Sequence, residues 1–317
     1  MDGMASALGS TTSRRAVWAA LDDITEEAAD LAGIFSAWPR LQALARRVLA
    51  QQGDAGRVWL RAHPVAELAQ QDPLTAWSFR KPRGYTGDAR LLDYVYGHPV
   101  VADSLAAASA RGRDIHAFNH CEAASEALRD RRALLARLVD DTVEATDGAA
   151  ILTLGAGHLR EAELAENAPD VGRWVALEAD QESLDELAEA QAERIPGLEP
   201  VNSTPQRLIL QPLHYGRFDL VYAAGLLEAL EDRAAERMIG AMFQAVKPGG
   251  RMLVSNLVHE LRAEGYMDAF MDWRMVTRAE PELATLLHPL EGVAKQRLFR
   301  SANGAMVHAL VTKAHDP

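Results

Sequence analysis

The chain has 317 residues, of which 48% are hydrophobic and 25% charged, and its net charge is −12. That composition excludes global disorder, and the length suggests two domains. A single cysteine, Cys121, excludes a disulfide framework within the chain and a cysteine-rich zinc site. No apolar run approaches the ~20 residues that span a bilayer. The N-terminal MDGMASALGSTTSRR carries no signal-type apolar stretch. Together these features point to a reducing, cytoplasmic location. Residues 1–140 balance 17 basic against 17 acidic residues, so the whole of the −12 falls in residues 141–317. An acidic C-terminal half argues against a broad nucleic-acid-binding face.

From about Val17 to Ala145 the pattern is helical, with apolar residues at three-to-four spacing, as in Leu41, Leu44, Ala45 and Leu49. Punctuation falls at Pro39, Gly53, Pro64, Pro73, Pro82-Arg83-Gly84, Gly97-His98-Pro99 and Gly112. A last helix runs from about Cys121 to Thr146 and ends at Asp147-Gly148. After Gly148 the period changes. AAILTLGAG reads as a buried strand opening into glycines, with a helix expected from about Leu159. RWVALEAD is a second strand, followed by a helix with Leu184 and Leu187. A weaker strand lies between Gly197 and Leu210. FDLVYAAG is a strong strand before a helix holding Leu226, Leu227 and Leu230. KPGGRMLVSNL reads as a turn and a strand. A helical insert, about Glu260 to Leu287, precedes two strands around the hairpin signal Ala302-Asn303-Gly304. Alternating strands and helices imply a parallel sheet, with the terminal hairpin as an antiparallel edge. The expected domains are a helical cap or lid over 1–146 and a Rossmann-like α/β domain over 147–317.

The segment with the clearest chemistry is Ile151–Leu159. Gly155, Ala156 and Gly157 form a G-x-G turn at the end of a buried strand, where glycine lets the backbone approach a ligand. Glu178 closes the next strand, 21 residues beyond Gly157, a spacing suited to accepting hydrogen bonds from ribose hydroxyls. Arg160 stands where a dinucleotide fingerprint needs its third small residue. No phosphate-cradling G-x-x-x-x-G-K-[ST] is present. A nucleoside cofactor without phosphates fits best, namely S-adenosylmethionine.

Over about Asp147 to Lys313 the chain resembles the class I S-adenosylmethionine-dependent methyltransferases. LTLGAG looks like that family's first motif and LEAD its second. FDLVYAAGLLEAL and Lys247-Pro248-Gly249-Gly250 with its strand look like the fourth- and fifth-strand motifs. The resemblance implies a seven-stranded, mostly parallel sheet. It also implies cofactor contacts at Gly155, Ala156, Gly157, Glu178 and Ala179, at Asn202 and Ser203 near adenine, and at Ala223, Ala224 and Gly225. Asn202 departs from the Asp that many members carry. RKPRGYTGD and SEALRDRRALL also resemble a bacterial subgroup with a helical N-terminal extension, which includes proteins of 3-hydroxypalmitic acid methyl ester biosynthesis. The layout is shared by azetidine-2-carboxylate synthases, which cyclise S-adenosylmethionine and release methylthioadenosine. The cofactor is then a methyl donor, or the substrate itself. The expected function is methyl transfer to a small molecule of secondary or signalling metabolism. Cyclisation, or a non-catalytic cofactor-binding subunit, are the alternatives. The oligomeric state stays open.

The loop Arg80–Asp88 is shaped by Pro82 and two glycines. It reads as an active-site lid with Arg83 and Gly84 near the cofactor, Tyr85 orienting the acceptor or amine, and Asp88 supporting it. Its bland reading is a structural turn. Trp77, Phe79 and Tyr85 could face a sulfonium, or could serve a core. His116, Asn119, His120, His158, His259 and Tyr266 are weaker candidates, because lone residues of these types are usually structural. No spacing compels a metal.

Overall fold

The computed structural model describes residues 13–29, 33–259 and 261–315. The first twelve residues and Glu260, both read above, lie outside them. The chain forms two compact units that are not consecutive. One takes the described residues up to Thr86 with Pro99–Glu122 and Arg262–Arg274; the other takes Gly87–His98, Ala123–Leu261 and the chain from Met275 onward. A single cut at 146/147 does not reproduce these units. The helix Ala123–Ala145 belongs with the sheet because its Leu135, Leu138 and Val139 pack among Ile151, Leu159 and Trp174. No helix among the described residues is long and apolar enough to cross a membrane.

The first unit is helical. Helix Arg14–Glu27 starts at Ser13, whose hydroxyl accepts from the Ala16 N–H at 3.3 Å. Helix Ile34–Arg61 buries Ile34, Ala37, Trp38, Leu41, Ala45 and Val48, the three-to-four spacing of an amphipathic helix. Pro39 does not end it. Two helical stretches meet instead at Gly53. Helices Val65–Ala69, Pro73–Arg80, Ala102–Ala107, Ala110–His120 and Glu264–Phe270 complete the unit.

The second unit is built on a seven-stranded sheet of β1 (Ala150–Leu154), β2 (Arg173–Glu178), β3 (Leu198–Asn202), β4 (Phe218–Ala223), β5 (Val246–Leu257), β6 (Val293–Arg300) and β7 (Met306–Lys313). The order is β3-β2-β1-β4-β5-β7-β6. The first five strands run parallel, and β7 is antiparallel to both β5 and β6. All five residues of β1 are buried, as expected for a strand covered on both faces. This is the Rossmann-like fold of class I methyltransferases.

Three local expectations are corrected. No helix follows the glycine turn: residues 155–170 are turns and one short 3-10 segment, Ala168–Asp170. Leu159 sits at φ 52°, a left-handed backbone that interrupts an α-helix. After β4, Leu227–Ala229 is a 3-10 turn, and the α-helix begins later, as Asp232–Gln244. Lys247–Gly250 is not a turn ahead of β5 but an irregularity within it, where the pairing with β4 jumps from Phe218↔Val246 to Leu220↔Arg251.

Candidate functional site

The order of the sheet reverses between β1 and β4. The crevice outside the carboxyl ends of such a strand pair is where open α/β sheets bind ligands. The residues at those ends are Gly155–Gly157 after β1 and Ala223–Gly225 after β4. Gly155, Gly157 and Leu159 alternate in left-handed conformations at φ 62°, 54° and 52°. Gly157 is required twice over, by its φ and because a Cβ there would stand 3.1 Å from the Ala89 Cβ. The turn is stitched to β2 by the Ala156 N–H, which donates to the Leu177 carbonyl at 3.0 Å.

Glu178 lies across this turn, 7% exposed. One carboxylate oxygen accepts from the Gly157 N–H at 2.8 Å. The other accepts from the N–H groups of Ala179 and Asp180 at 2.8 and 2.9 Å. A carboxylate offers about four lone-pair sites, so three are engaged and one remains, on the oxygen facing Gly157. That leaves room for a ligand hydroxyl without breaking the turn. Asp180, two residues on, caps helix Gln181–Gln191 by accepting from the Ser183 N–H at 3.0 Å. Asn202 pairs with Glu178 in register, but it is exposed and its amide donates to Gln181 Oε1 at 2.7 Å. Ser203 is buried; its N–H donates to the Glu178 carbonyl and its Oγ accepts from the Tyr215 hydroxyl at 2.8 Å.

The loop residues divide between the units. Arg83, Gly84 and Tyr85 belong to the helical unit. There Gly84 closes a turn by donating to the Lys81 carbonyl at 2.8 Å, and Tyr85 is 42% exposed. The Phe79 ring carries the Arg61 guanidinium at 5.2 Å, so that face is already taken by a cation. Asp88 falls in the sheet unit, buried at the N-cap of helix Ala89–Tyr96, where it accepts from the Leu91 N–H at 2.8 Å. The next residue, Ala89, stands beside Gly157.

That helix is fastened to the turn by ion pairs. Asp93, fully buried, faces His158 Nδ1 at 2.8 Å and accepts from Arg160 Nε at 2.8 Å. Burial pushes the Asp93 carboxyl up, but the bonds and charges of His158 and Arg160 outweigh it, and the pKa is lowered. Glu186 joins the group through Arg160 at 2.7 Å and Arg90 at 2.5 Å. Asp93, His158 and Glu186 are close enough to share a metal ion, but two guanidinium groups already neutralise the carboxylates, a poor environment for a dication. Arg160 is thus an anchor for helix Ala89–Tyr96.

The remaining histidines have structural partners. His116 and Asn119 bond the buried Asp72, the N-cap of helix Pro73–Arg80, at 3.1 and 2.8 Å. Thr75 links the same group to the Tyr266 hydroxyl at 2.8 Å. His259 lies between Thr277 and Glu282 in the sheet unit, and Tyr266 belongs to the helical unit. Cys121 is exposed.

Sequence reading passed over two buried charges near the end of β4, Arg131 and Glu228. Arg131 shares the apolar stripe of helix Ala123–Ala145 with Leu128, Leu135 and Leu138. A charge at core spacing was the available signal.

Residues 151–250 match the family model of a methyltransferase domain. No curated protein matches this chain. Among solved structures, one similar chain is a possible exported protein from Bordetella parapertussis. It is 14% identical with a TM-score of 0.58, and the match covers 95% of this chain and 99% of that one. Another is the N-methyltransferase NodS from Bradyrhizobium japonicum WM9 in complex with S-adenosyl-L-homocysteine, 21% identical with a TM-score of 0.43, covering 58% of this chain and 86% of that one. A third is the magnesium protoporphyrin IX methyltransferase ChlM from Synechocystis PCC 6803 with bound S-adenosylhomocysteine, 13% identical with a TM-score of 0.45, covering 61% and 87%. The first likeness shows that the fold recurs over nearly the whole chain.

Proposed function

We propose that this chain, whose residues 151–250 match the model of a methyltransferase domain, is an S-adenosylmethionine-dependent methyltransferase acting on a small molecule. The observation that carries the reading is Glu178 at the end of β2, bonded across the Gly155–Gly157 turn that follows β1, with one acceptor site left on the oxygen facing that turn. A ribose hydroxyl suits that acceptor. The absence of an α-helix starting at the turn supports a ligand without phosphates, because a helix N-terminus is the usual cradle for a pyrophosphate. When bound, S-adenosylmethionine supplies a methyl group activated by its sulfonium. The chain's own work is to hold the nucleoside through Glu178 and Ser203, and to keep the glycine turn and helix Ala89–Tyr96 fixed through Asp93 and Arg160. Holding an acceptor in line can contribute ~7–11 kcal/mol of the barrier. Tyr85 and Asp88 remain our candidates for orienting the acceptor, and a cytoplasmic location remains our expectation.

Product analysis by mass spectrometry tests the reading. The protein is incubated with S-adenosylmethionine alone, and then with 3-hydroxy fatty acids or cell extract. S-adenosylhomocysteine appearing only with an acceptor is the expected result. Methylthioadenosine and a cyclic amino acid without any acceptor would establish cyclisation instead. Neither product, despite cofactor binding, would leave a non-catalytic subunit.

A further inference from the structure

Helix Ala123–Ala145 presents two stripes. Leu135, Leu138 and Val139 enter the core of the sheet unit. Asp130, Leu134 and Arg137, again at three-to-four spacing, line a cavity of about 260 Å³ beside the β6–β7 hairpin. The hairpin supplies Phe299, Arg300 and His308 to the same cavity. Phe299 and His308 are register partners, so their side chains share one face of the sheet, and their rings stand 5.1 Å apart. All six residues belong to the sheet unit, and none belongs to the glycine turn or to the ends of β2 and β4.

The cavity holds one unsatisfied polar group. His308 is 2% exposed, and its Nδ1 is tied to Ser255 Oγ on β5 at 2.8 Å. Its Nε2 has no hydrogen-bond partner among the described residues, whereas buried polar atoms nearly always have one. The imidazole therefore has one nitrogen left for an occupant of the cavity. The charges around it are mostly positive. Arg137 and Arg300 are exposed; Arg137 has no ion pair among the described residues, and Arg300 reaches Glu280 only at 3.7 Å. Arg297, on the same side of β6 as Phe299, sets its guanidinium 4.9 Å from that ring. Asp130 is the one carboxylate among the residues lining the cavity. Three guanidinium groups against one carboxylate make a basic spot in the half of the chain that carries the whole −12. A concave wall of one charge sign concentrates ions of the other.

We propose that this cavity binds a small organic anion. Arg137 and Arg300 take its carboxylate or phosphate head, Leu134 and Phe299 its apolar body, and His308 Nε2 a polar substituent. The guanidinium fork suits either oxyanion. The volume lies just under the ~300–1,000 Å³ of ordinary ligand pockets, so the occupant is a small one. The inference stands apart from the proposed cofactor, because no residue of the strand-end crevice takes part in it.

Calorimetric titration of the whole chain with phenyl phosphate and with benzoate tests the site, with benzyl alcohol as the uncharged control. Saturable binding of at least one anion, and none of benzyl alcohol, is expected. Binding of phenyl phosphate alone assigns a phosphate monoester, binding of benzoate alone a carboxylate, and binding of both the oxyanion chemistry they share. Arg137→Gln and Arg300→Gln, both at exposed positions, are each expected to weaken the bound anion by about 10-fold or more. Lys295→Gln, on β6 but outside the cavity, is expected to leave it unchanged. The His308 ring resonances, assigned by their loss in His308→Gln, should shift as the anion saturates. Failure of both anions to bind, equal binding of benzyl alcohol, unchanged affinity in the two arginine variants, equal weakening by Lys295→Gln, unmoved His308 resonances, or displacement of the anion by S-adenosylhomocysteine would each overturn the site. A chain that binds an anion in this Arg137-dependent way but does not bind S-adenosylhomocysteine keeps the site and removes the cofactor reading.

Discussion

Glu178 accepts three backbone N–H groups, and its removal acts twice, on the ligand and on the turn that receives it. Each hydrogen bond to a charged group contributes about 1.5–3 kcal/mol. Glu178→Ala is therefore expected to lower S-adenosylhomocysteine affinity by about 10- to 100-fold, measured by calorimetry, and to lower the melting temperature as well. Unchanged affinity would remove Glu178 from the site. Gly225, at φ 99°, has a backbone that side chains rarely adopt. Gly225→Ala is expected to cost about 1–3 kcal/mol in urea denaturation. A neutral result would mean that the backbone there relaxes without strain. Gly155, Gly157 and Glu178 were legible in the sequence because strand, turn and acid follow one another locally. Arg131 and Glu228 were not, because only packing decides whether a charge on a helix or after a strand is buried. Leu159 was not legible either, since a left-handed leucine runs against its own preference and is held by its burial.

At the scale of elements, the strands read well because a buried parallel strand is a continuous apolar run bounded by glycine or charge. Helix starts read poorly. The stretch after Gly157 has apolar residues at helical spacing, yet it forms turns. The β6–β7 hairpin supports a pH prediction. His308 on β7 is 2% exposed and its Nδ1 faces Ser255 Oγ at 2.8 Å. Burial, with the charge of Arg131 adding to it, lowers its pKa to about 4. An unfolded histidine takes up its proton near 6.5. Between those values the unfolded chain binds more protons than the folded one, so stability is full above pH ~6.5 and falls as the pH drops toward about 4. The loss from this one group is up to about 3 kcal/mol. His308→Gln is expected to remove it. Urea denaturation at pH 7, 5.5 and 4 should show wild type and variant converging, and parallel curves would contradict the assignment.

At the scale of the whole molecule, the two units are woven from non-consecutive segments. The change of period at Gly148 marks where strands begin, but it does not mark where the sheet unit begins. That unit also needs Gly87–His98 and Ala123–Ala145, whose membership rests on contacts distant in sequence. Leu135, Leu138 and Val139 are at most 4% exposed within its core, and each buried side chain of this size is worth about 1.5–3 kcal/mol. The fragment 147–317 lacks them. It is expected to be insoluble or to show no cooperative thermal transition by circular dichroism, whereas a cooperative transition would show the sheet to be self-sufficient. The central claim is that the strand-end crevice takes an adenosyl nucleoside without phosphates. Parallel calorimetric titration of the wild-type chain with S-adenosylhomocysteine and with NAD tests it most directly. Saturable binding of S-adenosylhomocysteine with no binding of NAD is the predicted result, and binding of NAD, or no binding of S-adenosylhomocysteine, would contradict it.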